Sequence, residues 1–136
     1  MKSIFPEEMM NRAPVAEMSL ELIAGKFDYF FRQIHLIHLQ TSSYAEHIAL
    51  NLWEDMPDAK DTFIEKLSGY TGRKLRAYKT QDIMDNALAT SVVGELKGFA
   101  RELKMYGEMN GYSDIVNMSD DLSGKAAKVL YLLTLS

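Results

Sequence analysis

The chain has no cysteine. That absence removes disulfide cross-links, thiolate metal sites and cysteine nucleophiles together, and a reducing compartment fits it. Proline is scarce, and only Pro57 lies outside the first seventeen residues, so one position alone threatens a helix interior. No apolar run approaches the roughly 18 residues of a membrane span. Pro6, Glu7 and Glu8 in MKSIFPEEMM occupy the place where a secretion signal needs its apolar region, so a soluble, untargeted, cytoplasmic protein is expected. Positive charge is also short: fifteen Lys and Arg against nineteen Asp and Glu give a net charge of −4, the wrong sign for wrapping nucleic acid as a whole.

At 136 residues and 47% hydrophobic composition, the chain is long enough to bury one core without staples. Residues 1–17 carry Pro6 and Pro14 and no sustained periodicity, which predicts an arm. Its apolar residues Ile4, Phe5, Met9 and Met10 need a partner surface, such as a second subunit. Residues 18–136 then form a single domain of four amphipathic helices. The first starts near Met18 with Ser19 as cap, and Phe27, Phe31, Ile34 and His38 share one face. Ser43 and Glu46 make a capping box that starts the second helix, whose apolar stripe runs through Ala45, Ile48, Ala49, Leu52, Met56, Ala59, Phe63 and Leu67. Pro57 predicts a kink or break there. Ser68 and Gly69 close it.

Helix three is predicted from about Thr80 to Tyr106, with Gly94 and Gly98 four apart as a sign of close backbone approach, and Glu95 and Glu102 bordering the inward stripe. GEMNGYSD reads as a turn, with Ser113 capping a fourth helix that runs to the apolar VLYLLTL terminus. An apolar terminus of that kind calls for cover, from the bundle or from another copy. No strand pattern intervenes, so the fold class is all-α, a four-helix bundle. Topology hangs on the connection of residues 69–80, where a crossover making helices two and three parallel is feasible but taut.

All three histidines, His35, His38 and His47, lie around the tight turn between helices one and two, and Glu54, Asp58, Asp61 and Glu65 follow along one side of helix two. Imidazole and carboxylate together suit iron, manganese or zinc, and in bundles such ligands project inward from facing helices. The plainer alternative is that His38 is a hydrogen-bonded core histidine and that Asp58, Asp61 and Glu65 form a solvated face. Between the second and third helices, Arg73, Lys74, Arg76 and Lys79 interleave with Tyr70 and Tyr78. These read as a solvated crossover loop, or as a weak nucleic-acid patch. Hydrolytic motifs are missing: no nucleophile elbow, phosphate loop or His-Glu-x-x-His occurs.

On these residues the chain resembles the Dps-type mini-ferritins of the ferritin-like superfamily. It looks closer still to a group of small phage and bacterial proteins with a similar HLQTxSYAEH turn and YLLTL ending. The resemblance implies a ferritin-like bundle that assembles as a homo-oligomer. It also implies iron held at a dimer interface by His38 and His47 of one chain with Asp61 and Glu65 of the other, and ferroxidase-like oxidation of Fe(II). Pro57, the short segment between the two histidines and the lack of any Glu-x-x-His or lysine-rich tail depart from that family. The rival expectation keeps the bundle without the metal, as a non-catalytic structural or assembly protein, of a virion if the chain is phage-encoded.

Overall fold

The computed structural model describes residues 18–135, and the arm expected over residues 1–17 lies outside the described residues. Five α-helices follow in order: α1 Leu20–Gln40, α2 Tyr44–Ala49, α3 Met56–Thr71, α4 Ala89–Asn110 and α5 Ser113–Leu133, with a 3₁₀ helix at Asn51–Asp55. No strand occurs among the described residues. The four long helices enclose one apolar core centred on Phe27, Phe63, Leu96, Leu103 and Ile115. Phe27 packs against Phe63 at 5.5 Å and Phe99 at 5.4 Å between ring centres, so α1, α3 and α4 meet at one level.

Ser19 caps α1 by accepting from the Leu22 amide at 3.0 Å, and Ser43 caps α2 by accepting from the Glu46 amide at 3.1 Å. The expected interruption of helix two is a full break. α2 ends at Ala49, the chain tightens through the 3₁₀ segment, and α3 restarts so that Pro57 falls in its first turn, where no intrahelical N–H is required. Ala45 and Ile48 consequently leave the apolar stripe and are exposed. Gly72 and Gly111, at φ +71° and +73°, end α3 and α4 in the left-handed conformation that glycine adopts without penalty.

Contacts set the directions. Glu21 meets Arg73, Asp28 meets Lys60 and Phe31 meets Trp53, so α3 runs antiparallel to α1. Residues 72–88 then return along α1, and α4 descends in the same direction as α3, packed on α5 and α1 and diagonally across the bundle from α3. This crossover corrects the start of helix three: α4 begins at Ala89, not near Thr80, because α1 side chains hold residues 73–84 out of helical conformation and the turn at Asp85–Asn86 follows. Glu21 accepts from the Arg76 amide at 2.8 Å and pairs with Arg73 at 3.1 Å. The Arg76 amide holds its carboxyl below the ordinary value, against the opposing effect of desolvation, with the two arginine charges helping. Thr80 donates its hydroxyl to the Gly25 carbonyl at 2.9 Å. Buried Gln33 accepts from the Met84 amide at 2.7 Å and donates to the Met84 carbonyl at 2.9 Å, imitating one rung of a sheet. Gln40 repeats the device on Asp85 and Asn86.

A second anchor is ionic. Tyr78 donates to Asp28 at 2.5 Å, and Lys60 reaches both Asp28 and the Tyr78 hydroxyl at 2.7 Å, tying crossover, α1 and α3 together. Burial works against the charge on Lys60, but hydrogen bonds to Asp28 and Tyr78 outweigh it and raise its amine above the ordinary value.

Close approach occurs at glycines other than the expected pair. A Cβ on Gly25 would lie 2.5 Å from the Lys79 carbonyl oxygen, and one on Gly107 would lie 3.0 Å from Val116, where α4 and α5 touch. Nothing stands within 4 Å of Gly94 or Gly98, and Glu95 is exposed, so this face of α4 points outward. Gly25→Ala should therefore lower stability by about 2 kcal/mol or more as the crossover is pushed off α1, whereas Gly94→Ala should raise it by up to about 1 kcal/mol. Urea unfolding of both variants checks the contrast in sign.

Candidate functional site

The turn between α1 and α2 brings two of the expected site residues into direct contact. His38 Nδ1 lies 2.8 Å from the His47 carbonyl, and His47 Nδ1 lies 2.9 Å from the His38 carbonyl. A carbonyl oxygen only accepts, so each Nδ1 carries the proton and donates it. The two rings stack at 3.8 Å between centres, 22° apart. His38 is thus a hydrogen-bonded core histidine, 9% exposed.

The remaining aromatic groups extend this stack. His35 lies on Trp53 at 3.9 Å and 13°, His38 sits 5.5 Å from the same indole, and Tyr44 flanks His47 at 6.4 Å. Trp53, in the 3₁₀ segment, has its Nε1 buried without a hydrogen-bond partner among the described residues. Its role was hidden from helical spacing because the break at Leu50 rotates it out of register with α2. The one signal that could have found it is a single tryptophan close in sequence to all three histidines.

Asp61 and Glu65 are elsewhere. Both are exposed on α3, and Asp61 borders a small recess with Asp28 and Lys60. Within one chain, the described residues contain no group of three or more His, Asp or Glu able to hold a metal ion. With each Nδ1 proton bound to a carbonyl, the Nε2 atom of each ring is the nitrogen left as an acceptor. The exposed carboxylates Asp61 and Glu65 of the same chain are not gathered with them. Among the described residues, the buried polar side chains of the bundle interior are Gln33, His38 and Ser119, and no buried carboxylate is one of them.

The basic crossover is largely engaged in the fold. Arg73 pairs with Glu21, Tyr78 with Asp28, and Tyr70 stacks on Tyr112 at 4.3 Å. Lys74, Arg76 and Lys79 keep exposed side chains. No helix among the described residues is long and apolar enough to cross a membrane.

Comparison with known proteins adds a lineage. The profile of a family of unknown function, DUF5856, matches residues 38–133, from the first paired histidine to the end of α5. The chain belongs to this family. It is also similar to an uncharacterized 14.6 kDa protein in the mobD-ri intergenic region of Enterobacteria phage T4, with 32% identity over 123 residues, covering 88% of each chain. No solved structure matches. The DUF5856 match begins at His38, so the paired histidines fall inside the family's span and most of α1 falls outside it.

His38→Ala removes the ring stack and one of the two carbonyl bonds, and it leaves the His47 carbonyl without its donor. A loss of about 1–3 kcal/mol is expected. Because Trp53 is the only tryptophan, its emission should shift to the red as the turn loosens, and urea titration followed by that emission measures both effects.

Proposed function

We propose that this DUF5856 protein is a non-catalytic, self-associating assembly protein that acts in a phage setting, as the kinship with the phage T4 protein suggests. The observation that carries this reading is the apolar end of the bundle. Leu39, Tyr44, Ile48, Met84, Leu88, Tyr131 and Leu135 are all exposed large hydrophobic residues. All sit where α1 and α5 finish, α2 lies and α4 begins. Six of the seven are more than 60% exposed, so a second copy docking there would remove a large part of this apolar surface from water. Scattered apolar residues need no explanation, but a concentration at one end is the signature of a covered surface. A second copy is the occupant that supplies the same area with the same chemistry. The single long crossover supports a ferritin-like reading of the fold, since it is the connection such bundles use.

Light scattering coupled to size exclusion tests the proposal. The wild-type chain should elute as a defined oligomer, and Leu39→Glu with Leu88→Glu should shift it toward the monomer with unchanged helical content. A wild-type monomer at high micromolar concentration would overturn it.

A second reading is favoured by the two Nε2 atoms at the turn. Here His38 and His47 of one copy, joined by Asp61 and Glu65 of another, would hold iron, with manganese or zinc as alternatives, and Fe(II) would be the substrate, each ion giving one electron to oxygen or peroxide as oxidant. Metal titration of the wild-type protein beside His38→Ala and Asp61→Ala decides it: this reading expects stoichiometric binding that either change lowers at least about tenfold. No binding by three equally folded proteins would sink it.

A further inference from the structure

On one side the bundle is open. α5 lies close on α4 through Gly107, and α3 lies on α1, but between α3 and α5 a groove of about 500 Å³ remains. Its floor is apolar, built by Met56, Phe63, Met118 and Leu122. Its rim is acidic: Asp55, Asp58 and Asp121 stand there, and the one cation lining it, Lys125, is paired with Asp121 at 3.4 Å. The opposite charge is displayed elsewhere on the same chain. Residues 73–79 lie on α1 without helix or strand, with Leu75 and Tyr78 half-buried against the core and Lys74, Arg76 and Lys79 exposed on the outer side. They make a ridge of cations. This ridge does not reach the groove of its own chain, because Tyr78 meets α3 at Lys60, whereas the groove uses Asp58 and Thr62, each about 200° around the helix from that position.

We propose that the basic ridge of one copy seats in the acidic groove of a second copy, with Lys74, Arg76 and Lys79 as the inserted side chains. This adds a head-to-tail contact to the self-association reading and does not depend on the apolar end. Chemistry matches on both layers. Lysine and arginine bury an aliphatic stem and keep a charged head in water, which suits an apolar floor below a rim of aspartates. Met56 and Met118 give that floor the adaptable packing of unbranched side chains. Size matches too: the groove follows α3 from Asp55 to Phe63 and α5 from Asn117 to Lys125, about 12 Å of each helix, and the extended ridge from Lys74 to Lys79 covers about 16 Å.

Charge also selects the pairing. Ridge against ridge and groove against groove set like charges together, so copies join only by unlike patches. Such a contact is heterologous and leaves a free ridge at one end and a free groove at the other. Repeated from copy to copy, it closes into a ring or grows as a filament.

The test uses the full chain carrying Leu39→Glu and Leu88→Glu, so that the apolar end no longer contributes. Sedimentation equilibrium should show association at about 0.01 M salt that weakens at least about tenfold at about 0.15 M, where screening shortens the reach of these charges. At low salt, Lys74→Glu with Lys79→Glu, or Asp58→Lys with Asp121→Lys, should each weaken association at least about tenfold with native helical content. Mixing these two variants should restore it, because the wild-type ridge of one then meets the wild-type groove of the other. Thr62→Trp, which fills the groove without changing its charge, should weaken association by a similar factor. A background protein that stays monomeric at low salt would overturn the proposal, and leave the apolar end standing if the chain without these changes is an oligomer. A mixture that fails to associate would overturn it as well. So would association that the ridge changes weaken but the groove changes and Thr62→Trp do not, since the groove then has another occupant.

Discussion

Residues 72–88 travel the length of α1 without a strand or helix of their own, so another element must satisfy their backbone. α1 does so with side chains. Gln33 gives Met84 both a donor and an acceptor, Gln40 serves the Asp85–Asn86 corner, and Glu21 receives the Arg76 amide. Everything downstream depends on this, since the crossover determines which end of the bundle α4 starts from. A buried glutamine in the middle of an apolar stripe looks like a flaw until its partner, fifty-one positions later, is known. Unbonded, the same amide would weaken the core, so fold and crossover stand together.

That dependence explains what was legible in the chain and what was not. The caps at Ser19 and Ser43 act locally, over three residues, and both were readable from the sequence alone. So were the apolar stripes of α1 and α5. The start of α4 was not, because Thr80–Leu88 has acceptable helical spacing and is drawn out of that conformation by groups in α1. The glycines teach the same lesson. Gly94 and Gly98 carried the familiar spacing, yet close approach happens at Gly25 and Gly107, where a distant segment decides the matter.

The pairing of the histidines was not foreseeable from their spacing. Spacing put His38 on the buried face, and the structure gives it a carbonyl partner there. The mutual arrangement with His47 arises from the tight turn at Thr41–Ser43, whose backbone path no periodicity describes. Asp61 and Glu65 shared a helical face with His47 only so long as helix two was continuous. The break at Leu50–Asp55 removes that register, which is why one chain does not gather the four residues.

The exchange of carbonyl bonds between His38 and His47 closes a ring of chain spanning nine positions, in a protein with no covalent cross-link. Contacts so near in sequence form at little cost in loop entropy, whereas the bonds from Gln33 to Met84 and from Glu21 to Arg76 close loops several times longer. The α1–α2 corner is therefore suited to be an early folding nucleus, and the crossover is suited to dock late. In the native fold α4 and α5 form a hairpin packed through Gly107, and it is the crossover that fixes which way up this hairpin joins the rest. The contacts of longest loop closure are thus the ones that select the topology.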